Sequence, residues 1–242
     1  MAAPARPAPP AFVGRRDHIF YLAAAAAFLA IVFAGFKQTW FLRGAHGLPP
    51  LPFLLQLHGV LFTLWIALFV VQPLLVARKR LDLHRQLGVA GGVLAALMTV
   101  VVPLTAVAVT KPGYRPGPPT PLSFLTIPFF SIAVFAILVG AALLYRKKPD
   151  IHKRLMLVAT LSILSAAVAR IPLSFIANGG ALAFYGLTDL LLLPCIAYDA
   201  IIHRKLHPAY LCGGLLLLAY QPLSVYVGKT AGWLAFAGWL TN

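Results

Sequence analysis

Three residues in this sequence carry chemistry into stretches that otherwise offer none: His58 in LLQLHGVLF, Arg170 in AAVARIPLSF and Asp189 in FYGLTDLLLL. Ionisable side chains inside apolar runs are costly, usually face one another, and mark ligand or proton pathways. An Arg170–Asp189 pair with His58 nearby would make a polar chamber suited to an anionic or hydrogen-bonding ligand. It would equally suit proton relay through an imidazole that titrates near neutral pH. Trp65 and Gln72 follow His58 at i+7 and i+14, so the three share one helix face with about 20° of drift per heptad. A His, Trp and Gln stripe is not what lipid asks for, so this face is expected to point inward. Gln221, Ser224 and Tyr226 fall in the same outer half. The competing reading is a structural salt bridge, a hydrogen-bonded core histidine and an arginine that merely snorkels.

A second set lies in the turns. Asp82 with His84, Asp150 with His152, and Asp199 with His203 and His207 all fall on one side of the apolar runs. Histidines from three adjacent turns can converge on one metal, with carboxylates as further ligands or as orienting partners. A metal-activated water there would give a hydrolase of lipids or small molecules. His203 and His207 even have i, i+4 spacing, one face if that segment is helical. The plainer reading makes Asp82 and Asp150 helix N-caps and the His-Arg and His-Lys pairs interfacial anchors. Pro208 then marks a helix start.

The elements that position these residues follow from composition. Of 242 residues, 61% are hydrophobic and 10% charged, too little charge to cover a soluble domain of this size. Seven apolar runs, 19–36, 51–77, 87–110, 121–145, 155–177, 181–202 and 209–227, are each long enough to cross roughly 30 Å of hydrocarbon. The expected fold is all-α, a polytopic bundle of seven transmembrane helices: three hairpins plus an extra N-terminal helix. Residues 1–18 read as a disordered Pro/Ala-rich tail and 19–242 as a single domain. The first run reads as an uncleaved signal anchor. KPGYRPGPPTP, ahead of the fourth run, cannot itself be helical.

Fourteen Lys and Arg (Arg6, Arg15, Arg16, Arg78 to Arg80, Arg85, Arg146 to Lys148, Lys153, Arg154, Arg204, Lys205) fall on one side of these runs. Only Lys37, Arg43, Lys111, Arg115 and Lys229 fall on the other, with Arg170 inside a run. The positive-inside rule then places the N-terminus in the cytoplasm and the C-terminus in the periplasm. The net charge of +15 is explained by this topology, and no nucleic-acid partner is expected. KRLDLHRQL and KKPDIHKRL repeat at the basic turns, which supports hairpin organisation. Cys195 and Cys212 form no C-x-x-C and read as small apolar core residues. No P-loop or nucleophile elbow appears. With only His58 well inside a run, a transmembrane haem held by two histidines is disfavoured, while a single haem or a haem at the basic turns stays open.

HGVLFTLW, QPLLVARKRLDLHRQLG, PDIHKRLMLVAT, DLLLL, YDAIIHRKLHPA and AYQPL together resemble an uncharacterised family of bacterial seven-helix inner-membrane proteins. The resemblance spans nearly the whole chain after the tail and implies one multi-pass domain in the inner membrane. It implies no activity. The leading expectation is a small-ligand transporter or sensor using His58, Trp65, Gln72, Arg170, Asp189 and Gln221. The alternatives are a metal- or haem-binding membrane enzyme using His84, His152, His203 and His207, and a scaffold subunit of a membrane complex. The expected partners are the lipid bilayer and a small polar or anionic ligand.

Overall fold

A computed structural model describes residues 14–115 and 120–241. Residues 1–13 of the expected tail lie outside the described residues. The remainder of that stretch does not, because α1 (Arg15–Phe36) already begins at Arg15. The chain continues through a π turn at Lys37–Phe41 into α2 (Phe53–Ala77), α3 (Leu81–Ala108), α4 (Thr126–Leu144) and α5 (Pro149–Val168). It ends in α6 (Ser174–Leu190), α7 (Leu193–Ile202), α8 (Pro208–Val227) and α9 (Ala231–Thr241). The described residues contain helix and no strand. Seven segments have the length and apolar composition to cross a membrane, α6 and α7 together counting as one. The all-α multi-pass bundle expected from composition is the fold observed.

The α2–α3, α4–α5 and α7–α8 turns lie at one end, which carries the Lys and Arg clusters; we call it the basic end. The π turn, the α3–α4 and α5–α6 connections and α9 lie at the far end. α5 is the hub, packing on α1, α4, α6 and α8. Two-thirds of its apolar stretch (67%) is buried, against 17–39% in the other six spans. The reason is its small residues. Ala159, Ser162, Ser165 and Ala167 let neighbouring backbones approach, and Ser162 returns its hydroxyl to the Ala159 carbonyl at 2.7 Å. Gly35 of α1 meets this surface so closely that a Cβ there would collide with the Ala167 backbone carbonyl.

The outer helices present Leu64, Val93, Leu97, Val100, Ile137 and Leu215 outward, as a lipid-facing shell requires. An apolar groove of about 410 Å³ runs between α4 and α8, below Trp233 of α9. Cys195 is buried as expected, whereas Cys212 is exposed on the outside of α8.

Two boundaries differ from those expected, with consequences for the site. The apolar run 155–177 does not stay helical: α5 stops at Val168. Pro172 has no N–H to donate and disfavours helical geometry at Ile171. Arg170 therefore sits in the α5–α6 turn, not inside a span. The sixth span starts at Ser174 instead of 181, is kinked at Gly180 (φ 55°), and restarts as α7 after Leu192 with Pro194 in the first turn.

Candidate functional sites

Part of the charge at the basic end is folded inward: Asp17, Arg154 and Asp199 are buried. Asp17 of α1 is 3% exposed. Its Oδ1 accepts from the Tyr198 hydroxyl at 2.6 Å and lies 3.1 Å from His203 Nε2. Its Oδ2 accepts from Lys153 Nζ at 2.7 Å, and Lys153 reaches Asp150 at 3.0 Å. Phe20 stacks on the Tyr198 ring at 4.0 Å. Beside this cluster Arg154 clamps Asp199 with two charge-assisted bonds, Nε to Oδ2 at 2.8 Å and Nη2 to Oδ1 at 2.7 Å. A third bond runs from Nη1 to the Asp150 carbonyl at 2.8 Å. Both partners of this fork are nearly inaccessible, 2% and 0% exposed. The Tyr210 ring lies 5.7 Å from the guanidinium and its hydroxyl 3.4 Å from that of Tyr21.

The network cross-braces α1, α5, α7 and α8. In the sequence, Asp17 reads only as a flank of the first run, and Lys153 and Arg154 only as topology. The signal that points further is the cost of burying charge: an Asp inside the apolar YDAII and an Arg ahead of an apolar run demand partners.

The four turn histidines do not meet. Among the described residues no group of three or more His, Cys, Asp or Glu is placed to hold a metal ion. His203 belongs to the Asp17 cluster. His207 caps α8, its Nδ1 accepting from the Ala209 N–H at 3.1 Å. The i, i+4 face for these two does not form, because α7 ends at Ile202 and Pro208 opens α8. His84 and His152 face one another instead, with ring centroids 6.4 Å apart. Asp82 and Asp150 are not N-caps either. Arg80 and Lys148 occupy those positions, and the two carboxylates sit in the first turn, Asp82 beside Arg80 at 3.4 Å.

His207 carries a pH prediction. Burial, then the Arg154 charge, hold its pKa below the ordinary value, and the cap needs an unprotonated Nδ1. The unfolded chain therefore binds more protons as pH drops below about 6.5. The contribution of the cap, about 1 kcal/mol, is present above that pH and lost as pH falls through the lowered pKa. Thermal unfolding in detergent at pH 8 and pH 5.5 should show a smaller acid loss for His207→Asn, which caps without titrating. An equal loss in both proteins would remove this role.

In the outer half the expected chamber divides in two. Asp189 does not pair with Arg170; it accepts from Gln221 Nε2 at 2.8 Å, next to the Tyr185–Ser224 hydrogen bond at 3.2 Å. The break at Pro172 and the kink at Gly180 separate the two: Asp189 lies level with Gln221, six residues from the far end of α8, while Arg170 stays in the α5–α6 turn. Tyr226 points outward and is exposed. The stripe on α2 does face inward. Trp65 is buried, donates to Thr160 at 3.3 Å and packs edge-on against Phe135. Gln72 reaches His84 at the basic end.

His58 stacks on Phe62 at 4.4 Å, and its Nδ1 is buried without a hydrogen-bond partner, alone in this among the described side chains. The Arg170 guanidinium lies within electrostatic reach of that ring. It sits 4.9 Å over Phe36 and donates to the Ala166 carbonyl at 2.7 Å. Among the described residues no carboxylate pairs with it. Arg115 is within electrostatic reach of Arg170 in turn. It lines an open cleft of about 580 Å³ with Pro49 to Pro52, Gly113 and Tyr114.

No protein-family model, curated protein or solved structure matches the chain. The fold and these two polar regions therefore define the protein as a polytopic helical membrane bundle, braced at one end and under-satisfied at the other.

Proposed function

We propose that this is a small-ligand-binding membrane protein, a transporter or sensor, whose recognition site surrounds His58 and Arg170 in the outer half of the bundle. One observation carries the reading: a buried imidazole nitrogen with no partner, within electrostatic reach of a guanidinium that has no carboxylate among the described residues. Buried polar atoms are almost always hydrogen-bonded, and an exception calls for an explanation. A small anion supplies it, accepting from Arg170 and from the imidazole and entering from the cleft that Arg115 lines. Asp189 and Gln221 satisfy each other between α6 and α8. In the proposed setting the bundle lies in a bacterial inner membrane with the basic end in the cytoplasm, so the site opens to the periplasm.

The test is a ligand-induced thermal shift on detergent-purified protein with inorganic phosphate and a panel of small mono- and dicarboxylates. Wild type should show a saturable shift for at least one anion. Arg170→Gln and His58→Ala should each weaken it about tenfold or more, the equivalent of about 1.4 kcal/mol. Absence of any saturable shift, or full affinity in both variants, overturns the reading.

A further inference from the structure

The basic end holds a second unassigned feature, independent of the far-end site. The repeated motif, KRLDLH (Lys79–His84) and KKPDIH (Lys147–His152), turns the chain from α2 into α3 and from α4 into α5. The two copies meet, since the His84 and His152 ring centroids lie 6.4 Å apart. Each copy settles its own carboxylate, Asp82 against Arg80 and Asp150 against Lys153 and Arg154. Arg78, Lys79, Arg85, Lys147 and Lys148 are left exposed, with no carboxylate among the described residues in ion-pair range. The chain has only five acidic residues. The other three, Asp17, Asp189 and Asp199, are held elsewhere by Lys153, Gln221 and Arg154. The counter-charge for this rim has to come from outside.

One of these lysines is held against its backbone preference. α2 closes in a Schellman motif, the Arg80 N–H donating to the Leu75 carbonyl at 2.8 Å and the Lys79 N–H to the Val76 carbonyl at 3.0 Å. Lys79 thereby takes the left-handed position, φ 58°, which glycine fills without strain. The strain is tolerated and the turn displays a cation. His84 adds a neutral donor. The Gln72 amide nitrogen donates to His84 Nδ1 while its oxygen accepts from the Gly88 N–H at 3.2 Å, so the ring proton sits on Nε2. A donor among uncompensated cations fits an anion. Leu81, Leu144 and Tyr145, which adjoin the rim in the chain, are 47%, 80% and 44% exposed. Charge bordered by exposed apolar side chains matches an amphiphile rather than a soluble phosphate compound.

We propose that the two turns together bind the head group of an anionic phospholipid that carries two phosphates. Each copy of the motif takes one of them, Lys79 with His84 on one side and Lys147 with Lys148 on the other, through charge-assisted hydrogen bonds. Any basic membrane surface attracts anionic lipid. The pairing of two equivalent turns adds a preference for two linked phosphates, because a lipid with one phosphate satisfies only one copy at a time. Leu81 and Leu144 then meet the acyl chains where they leave the head group.

The experiment is native mass spectrometry of the detergent-purified full chain, titrated with tetraoleoyl cardiolipin, dioleoyl phosphatidylglycerol and dioleoyl phosphatidylcholine. The expected result is one tightly retained cardiolipin per chain, bound at least about tenfold more tightly than phosphatidylglycerol, with no saturable retention of phosphatidylcholine. Lys147→Gln/Lys148→Gln should lose about tenfold or more for cardiolipin and with it the preference over phosphatidylglycerol. His84→Ala should lose about tenfold. Lys79→Gly should lose about fivefold yet unfold in lipid-free detergent at or above the wild-type temperature, since glycine relieves the left-handed backbone. That variant separates loss of the site from loss of the fold. The far-end control Lys37→Gln/Lys111→Gln should stay within about twofold of wild type. Equal affinity for the two anionic lipids overturns the proposal. So do equal losses in the basic-end and far-end double variants, or full cardiolipin affinity in Lys79→Gly.

Discussion

Arg154→Met should destabilise the folded protein by about 3–5 kcal/mol, the largest single-residue effect expected here. The substitution leaves Asp199, fully buried, with a carboxylate that has lost both arms of its fork, and removes the cation held beside Tyr210. The converse change, Asp199→Leu, strands the guanidinium and should cost a similar amount. Together they should not add. A methionine against a leucine fills a comparable volume without an orphaned charge, so the double variant should recover most of the loss. Unfolding of the four proteins in mixed micelles, with sodium dodecyl sulfate as titrant, closes the double-mutant cycle. Simple additivity would mean the pair is no unit. Arg80–Asp82 provides the contrast: both side chains are more than half exposed, and Arg80→Met should move stability by less than about 1 kcal/mol.

Gly35→Leu is the second large effect expected, acting through shape and not charge. A Cβ at position 35 meets the Ala167 backbone carbonyl, and backbone on both sides cannot turn aside as a rotamer would. The helices must separate, and the Phe28–Phe69 stacking at 5.8 Å and the Asp17 cluster are strained with them. Overpacking a fitted interface costs about 1–3 kcal/mol, with leucine at the upper end and Gly35→Ala at the lower. At Gly140 of α4, by contrast, a Cβ would enter open space; Gly140→Ala should be neutral or should stabilise by up to about 1 kcal/mol. A Gly35→Leu protein as stable as wild type in the same micelle titration would mean that α1 does not seat closely on α5.

The spans are legible in the sequence because a bilayer imposes a length and a composition that no packing detail can override. The inward face of α2 is legible for a related reason, as lipid rejects His58, Trp65 and Gln72 together. What the sequence does not carry is range. Arg170 and Asp189 look like neighbours because each lies in an apolar run, yet Pro172 ends α5 between them. Past the kink at Gly180, Asp189 faces α8 and its partner becomes Gln221. The turn histidines look like one belt because periodicity says nothing of azimuth. His203 turns to α1, His207 to its own helix, and only His84 and His152 turn to each other. Asp17 is hidden by position: a carboxylate just outside an apolar run reads as solvated until a tertiary partner is seen.

The Asp17 cluster also imposes an order on biosynthesis. α1 leaves the ribosome first, yet the groups that satisfy its carboxylate, Lys153, Tyr198 and His203, follow 136, 181 and 186 residues later. Inserted helices associate after insertion, so α1 must wait beside the growing bundle until α5 and then α7 arrive. Its seat is completed only when the last turn at that end has been translated. A chain truncated between α5 and α7 should therefore carry a loosely held first helix, and the bundle closes from its middle outward, its earliest segment joining late.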